Sequence, residues 1–333
     1  MWDAVRSWWD EPDAPLVVRT SGSTGEPRDV ELSHRALAAS VAATRSRLGG
    51  DGQWLLALPV TGVGGLQVLL RCAAAGVEPV FAADDWGQAV AALTGERAYT
   101  SLVPTQLHRL AAAQQLSVLR RFAAVLVGGA AIDDRLASRC ADEGVPVVRT
   151  YGMTETCGGC VYDGLALDGV AIRLDVEGRI SIAGPVLFDG YVGDPDATAQ
   201  ALSAGWFTSS DLGRIDDDGR LVVIGRADDV VVSGGVKVAL PAVTQALTTL
   251  PGVTDAVAVG VPDAEWGTRV VAVVVAARPP ALTAVRHLVS ATLPRAWAPR
   301  AVLAVPAMPL LPGGKLDRRE LQRLAAGARS SRS

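Results

Sequence analysis

The feature that most constrains this chain is an alternation running through its first 150 residues. Short apolar runs recur as "PLVVRT" (15–20), "QWLLALPV" (53–60), "VEPVFA" (77–82), "YTSLVP" (99–104), "AAVLVGG" (123–129) and "VPVVRTYG" (145–152). Between several of them stand "HRALAASVAATRSRL", "GLQVLLRCAAAG" and "WGQAVAALTG", whose apolar residues fall at helical spacing. Ser33 is placed to cap the first of these helices and Gly76 to end the second. A strand that is followed by a helix cannot turn back as a hairpin. Each connection crosses over, so the strands run parallel and the helices cover the sheet.

After Gly164 the texture changes. "GRISIAGP", "GRIDDDGRLVVIGR" and "DVVVSGGVKV" are short strands joined by Gly and Asp, and Asp218-Gly219 is a hairpin signal. From Ala239 the order is helix ("PAVTQALTTL"), strand ("DAVAVGV"), strand ("RVVAVVVAA"), helix ("ALTAVRHLVSATL") and strand ("RAVLAVP"). The expected class is α/β. A large N-terminal domain (1–227) has a helix-covered parallel sheet plus a β-rich subdomain. A small α+β C-terminal domain (228–333) follows.

Composition narrows the function classes. Net charge is −4, which argues against a general nucleic-acid binder. No apolar run approaches the roughly 20 residues needed to span a bilayer. The opening "MWDAVRSWWDEPDAP" is acidic and tryptophan-rich, unlike a signal peptide. Four cysteines in 333 residues do not form a secreted disulfide framework, so a cytoplasmic protein is expected. Of 31 basic residues only Lys237 and Lys315 are lysine. Each surviving lysine is therefore informative.

Four stretches carry chemistry. "TSGSTGEPR" (20–28) places hydroxyls and glycines directly after a strand. Such a loop can wrap phosphates with backbone N–H groups, although a flexible Ser/Gly turn has the same composition and the Walker A spacing is absent. "YGMTETCGGCVYDG" (151–164) ends a strand and sets Glu155 between two threonine hydroxyls, a donor set suited to Mg²⁺ shared with substrate phosphates. Its Cys157 and Cys160 have C-x-x-C spacing, yet no second pair completes a zinc site, and small residues there fit a pocket wall better. In "GWFTSSDLGRIDDDGRLVVIGRADDVVVSGGVKV" (205–238), Asp211 can accept both hydroxyls of a ribose, while Asp228 and Asp229 alone would be a solvated turn. "LPGGKLDRREL" (311–321) presents Lys315 on a Gly-Gly turn ahead of a helix. His34, His108 and His287 have no partner pattern and read as structural or surface residues.

In this order, the four motifs resemble the adenylate-forming superfamily of acyl-CoA ligases, luciferases and peptide-synthetase adenylation domains, from about Leu16 onward. Within it, the short length, "YGMTETCGGCVYDGLALDGV" and "LPVTGVGGLQVLLR" look most like the short actinobacterial branch of o-succinylbenzoate–CoA ligases of menaquinone synthesis. The resemblance implies ATP, Mg²⁺ and CoA, an aromatic dicarboxylate substrate, no nucleic acid or membrane span, and a monomer or homodimer. It implies that Thr20, Ser21, Gly22, Ser23, Thr24, Gly25 and Arg28 hold the ATP phosphates. Gly128, Gly129, Ala130, Tyr151, Gly152 and Met153 would line the adenine, and Asp211 and Arg226 the ribose. Thr154 would bind phosphate, Glu155 the metal, and Lys315 would be the catalytic lysine of adenylation. Gly65, Gln67, Arg71, Cys157 and Gly158 would border the acyl group. Gly234, Gly235 and Lys237 would meet CoA, and Asp228 would be the hinge of a mobile lid.

The chain departs from that pattern at three places. The phosphate loop ends Pro27-Arg28-Asp29 rather than Pro-Lys-Gly, which puts an extra anion near the phosphates. Thr61 and Gly62 stand where relatives often carry a gating histidine. The chain is shorter than most of the family, and the resemblance implies that much of the usual N-terminal subdomain is not represented in it. For Arg71, a solvated arginine at a helix end is the competing expectation. The competing functions are another aryl- or acyl-CoA ligase, an adenylation domain that loads a carrier protein, and a non-catalytic nucleotide- or acyl-binding protein.

Overall fold

A computed structural model of the chain describes residues 1–20, 27–82, 85–311 and 316–328, with Asp228 described by its backbone alone. Helix α1 (Trp2–Asp10) precedes strands β1 (Leu16–Arg19) and β2 (Asp29–Leu32). The crossover region follows as α2 (His34–Leu48), β3 (Gln53–Leu56), α3 (Val63–Ala75), β4 (Val80–Phe81), α4 (Trp86–Ala91), β5 (Ala98–Leu102), α5 (Pro104–Ala112), β6 (Ala124–Val127), α6 (Asp134–Asp142) and β7 (Val147–Met153). A β-rich stretch comes next: β8 (Gly158–Tyr162), β9 (Leu165–Ala166), β10 (Ala171–Leu174), β11 (Arg179–Ala183), β12 (Gly190–Tyr191), α7 (Pro195–Ala201), β13 (Leu202–Ser203), β14 (Trp206–Ile215) and β15 (Leu221–Arg226). The remainder is β16 (Val230–Ser233), β17 (Val236–Ala239), α8 (Leu240–Thr248), β18 (Val253–Asp263), β19 (Gly267–Ala276), α9 (Leu282–Thr292), β20 (Ala301–Ala304) and α10 (Arg318–Ala326).

Among the described residues, the central sheet has the order β4-β3-β5-β6-β7-β8-β9. Strands β3 to β7 pair in parallel, as the alternation requires. β8 and β9 add antiparallel strands at one edge. Ser33 caps α2, its hydroxyl accepting from the Ala36 N–H, and Gly76 ends α3 in the left-handed conformation. Leu102, Leu107, Leu119, Val125 and Val127 fill one side of the sheet, and Trp54, Val68, Leu69, Tyr99 and Leu126 the other. The sequence pattern omitted α1. Trp8 and Trp9 of this helix pack on His34, with ring centroids 5.4 and 4.9 Å away.

A small antiparallel sheet, β1-β2-β12, brings residues 190–191 onto the strand that follows the phosphate loop. A second antiparallel sheet, β10-β11-β14-β13 with β15 on β14, contains the Asp218-Gly219 turn, where Gly219 has φ 74°. The last sheet joins β16 to β20. In β19 the run "VVAVVV" is apolar on both faces. Val270, Ala272 and Val274 pack with α8 and α9, while Val271 and Val273 pack with Leu321 and Ala325 of α10. Successive side chains of a strand point to opposite faces, so an uninterrupted apolar run fits a strand covered on both sides.

Candidate active site

The turn from β7 to β8 is the centre of the site. Tyr151 and Gly152 end β7, Thr154–Thr156 form a 3₁₀ turn, and Cys157 takes φ 52°. Gly152 is required there: a Cβ would stand 2.0 Å from the Gly158 carbonyl oxygen. On the neighbouring strand end, a Cβ at Gly128 would lie 2.3 Å from Thr150 Oγ1. The Gly128-Gly129-Ala130 loop therefore presses against β7 at the carboxyl end of the sheet. In open α/β sheets ligands bind along that edge.

Three side-chain groups radiate from this turn. In the first, the Tyr151 hydroxyl donates to Asp211 Oδ2 at 2.9 Å, and Asp211 lies opposite Arg226 in the β14–β15 register. Burial, then the Asp211 charge, pushes the Tyr151 phenol far above its usual range, so it stays a donor. The expected adenine and ribose residues thus meet.

The second group lies at the phosphate loop. Ser21 to Gly25 fall outside the described residues, but the base of their loop is defined. Thr20 N–H donates to the Arg28 carbonyl, and Arg28 N–H donates to Thr20 Oγ1, each at 2.8 Å. Arg28 lays its guanidinium over the ring of Tyr191, 4.9 Å from the centroid. Tyr191 in turn donates its hydroxyl to Glu155 Oε1 at 3.0 Å. Burial and the Glu155 charge push that phenol up to about 12. Asp29 follows Arg28 at the exit of the loop. It pairs across β1–β2 with Arg19, 3.8 Å away.

The third group is the expected acyl wall. Gln67 Nε2 donates to the Cys157 carbonyl at 2.7 Å, as does Ser40 Oγ at 3.2 Å. Gly65 allows α3 to start close to the preceding loop, since a Cβ would lie 2.3 Å from the Pro59 carbonyl oxygen. Two expectations need correction. The Cys157 thiol faces the core, packed with Val18, Leu66, Leu70 and Phe188, so only its backbone borders the turn. Burial raises the pKa of both C-x-x-C thiols, that of Cys160 to about 12, which removes the thiolate that redox chemistry needs. Arg71 is neither at a helix end nor solvated. It sits within α3, 7% exposed, stacked on Trp54 at 4.7 Å and directed to Thr44 and Tyr162.

This arrangement fits a metal shared with phosphates. Glu155 is half-buried, and its Oε2 has no hydrogen-bond partner among the described residues. The same holds for the Thr154 hydroxyl. Mg²⁺ takes one or two protein carboxylates and completes its shell with phosphate oxygens and water.

Residues 3–192 match the model of the AMP-binding enzyme family, and residues 242–315 match that of the AMP-binding enzyme C-terminal domain. The chain is a member of the AMP-binding enzyme family. A Mycobacterium tuberculosis protein named "Probable 2-succinylbenzoate--CoA ligase" is 42% identical over 332 residues, covering 95% of this chain and 86% of the relative. A 2-succinylbenzoate–CoA ligase of Bacillus cereus is 30% identical over 94% of this chain and 70% of its own length. The structure superposes with TM-score 0.83 on o-succinylbenzoate CoA synthetase (MenE) from Bacillus subtilis in complex with the acyl-adenylate intermediate OSB-AMP. That protein is 25% identical, over 95% of this chain and 70% of the other.

The residues matched by the C-terminal-domain model, 242–315, lie beyond the 3₁₀ turn Ala227–Asp229. Gly234 and Gly235, φ 57° and 79°, make a two-residue hairpin between β16 and β17, and a Cβ at Gly234 would meet the Trp266 ring at 2.7 Å. Lys237 stands exposed on β17. Lys315 falls outside the described residues, though both of its flanks are anchored. Leu310 bridges Leu316, and Arg318 forms an ion pair with the buried Asp229, next to the expected hinge. Asp229, which standing alone in the sequence would be a solvated turn, is buried, and none of the four sequence motifs marks Tyr191. Tyr191 sits after a glycine and ahead of the Asp194-Pro195 start of α7, a turn-and-cap signal that marks a fixed position but not its partner.

Among the described residues, no helix is long and apolar enough to cross a membrane.

Proposed function

We propose that this chain is a cytoplasmic, AMP-forming acid–CoA ligase that adenylates o-succinylbenzoate and passes it to CoA. The observation that carries this reading is the convergence on one turn of Tyr151–Asp211, Glu155–Tyr191–Arg28 and Gln67–Cys157. The identity of the acid rests on the names of the relatives.

In the first step a carboxylate oxygen attacks the α-phosphorus of ATP and pyrophosphate leaves. Tyr151 and Asp211 hold the nucleoside, with Arg226 beside them. Arg28 and the loop 20–25 hold the phosphates. Glu155 would hold Mg²⁺, which neutralises phosphoryl charge when bound, and Thr154 would bind a phosphate. Lys315 stabilises the charge that develops in the transition state. In the second step the CoA thiolate attacks the acyl carbon and AMP leaves. Residues 228–333 act as a lid that turns about Asp228, withdrawing Lys315 and bringing Gly234, Gly235 and Lys237 toward the thiol's path. Gln67 and Gly158 border the acid.

ATP–pyrophosphate exchange across a panel of carboxylic acids, followed by thioester formation with CoA, tests the assignment. o-Succinylbenzoate is expected to support the fastest exchange. Exchange with another acid and none with o-succinylbenzoate overturns the substrate. Lys315→Ala is expected to slow adenylation by roughly 100- to 1,000-fold. Transfer to CoA from supplied acyl adenylate should be largely spared, and equal loss of both steps overturns the division of roles.

A further inference from the structure

Tyr191 is tied down on every side. Its N–H donates to Thr198 Oγ1 at 2.9 Å, its backbone pairs with Val30 of β2, and its ring meets Phe188 at 5.0 Å. The next residue, Val192, donates its N–H to the Asp29 carbonyl. The Glu155 carbonyl accepts the Phe188 N–H at 2.9 Å. The short segment 188–192 thus grips the turn that carries Glu155 at one end and the exit of the phosphate loop at the other. At the centre stands one hydroxyl, 3.0 Å from Glu155 Oε1, under the guanidinium of Arg28. It occupies one carboxylate oxygen, and Oε2 has no hydrogen-bond partner among the described residues.

We propose that Tyr191 is a positioning residue that fixes the Glu155 carboxylate for the nucleotide's metal and links that orientation to the phosphate loop through Arg28 and β2. The inference rests on Glu155 being the metal's carboxylate, as read above. Groups that orient a metal's ligands narrow the ligand's rotamers before the metal arrives, and their removal weakens the metal without removing a ligand. Tyr191→Phe deletes only the hydroxyl. The ring stays under Arg28 and against Phe188.

The test is equilibrium binding of ATP by calorimetry in the absence of acid, with Mg²⁺ and again with EDTA, for wild type, Tyr191→Phe, Glu155→Gln and the double variant. Tyr191→Phe is expected to weaken Mg²⁺-dependent ATP binding roughly tenfold and leave the metal-free binding within about twofold. In the double variant the Tyr191→Phe change is expected to add nothing beyond Glu155→Gln, because its effect passes through that carboxylate. A general packing defect would weaken binding equally with and without Glu155, and that result overturns the proposal even if melting temperatures fall. Wild-type Mg²⁺-dependent binding in Tyr191→Phe, with Glu155→Gln impaired, also overturns it and leaves the Glu155 reading intact. Unchanged Mg²⁺ dependence in Glu155→Gln removes the Glu155 reading and this inference together.

Discussion

Arg71 and Arg28 each lay a guanidinium on an aromatic ring, 4.7 Å from Trp54 and 4.9 Å from Tyr191. Around Arg71 the protein closes completely. Its donors reach Thr44 and Tyr162 at 3.4 and 3.5 Å, its Nε has no hydrogen-bond partner among the described residues, and burial lowers its pKa. Arg28 is exposed at the exit of a loop, with Glu155 reached through the same ring it covers. The cation–π contact is common to both, so it cannot tell which arginine serves a ligand. The remaining surroundings do. A buried guanidinium contributes packing and a fixed field, whereas an exposed one keeps donors for an incoming anion.

Truncation breaks this contrast most severely at the buried site. Arg71→Ala leaves a cavity and strips Tyr162 and Thr44 of a partner, and should cost about 3 kcal/mol in chemical denaturation. Arg71→Met keeps the volume and removes a desolvated charge, so its cost should stay below about 1.5 kcal/mol or become a gain. If Arg71→Met instead raises the KM for the acid by an order of magnitude at unchanged stability, the buried charge serves the substrate and the contrast fails.

At the exposed site the outcome inverts. Arg28→Gln should shift stability by less than about 0.5 kcal/mol. It should raise the KM for ATP several-fold, as measured by pyrophosphate exchange, and Arg28→Lys should recover most of the loss. A loss of stability with no change in ATP dependence would place Arg28 beside Arg71 as a packing residue.

His108 is the intermediate case, half-exposed with a carboxylate partner. Its Nε2 lies 2.8 Å from Asp133 Oδ2, and this hydrogen bond, with the charges of Asp133 and Asp255, raises its pKa above the usual 6.5. A pKa raised in the folded state contributes stability that is present below the unfolded value and lost as pH rises through the folded one. His108→Gln should therefore destabilise by at most about 1 kcal/mol near pH 6 and by less near pH 9, as read from thermal melts. An equal cost at both values would show that the imidazole acts by packing alone.

These cases also show where sequence reasoning reached and where it stopped. The alternation of strands and helices, the capping Ser33, the left-handed Gly76 and the Asp218-Gly219 turn are local. Each depends on residues within a few positions, so the pattern is sufficient. β4 shrank to Val80–Phe81, and β18 and β19 grew into long paired strands, because pairing extends or truncates a strand beyond its own propensity. Glycines were legible as required and opaque as to why. Gly234 is held by Trp266, a neighbour that no local window contains.

The candidate site divides in the same way. By itself, the sequence determined which residues are chemically able to serve: hydroxyls and glycines after a strand, a carboxylate between threonines, an aspartate after "TSS", and two lysines in a chain of arginines. These are properties of residue type and short spacing, and they survive without coordinates. Only the tertiary structure decided which of them meet. Tyr151 reaches Asp211 across 60 residues and Tyr191 reaches Glu155 across 36, while Cys157 turns inward and Arg71 is enclosed. The physical reason is that burial and partner choice are set by what packs from distant chain segments, and a one-dimensional pattern fixes the face a side chain leaves by but not what waits there.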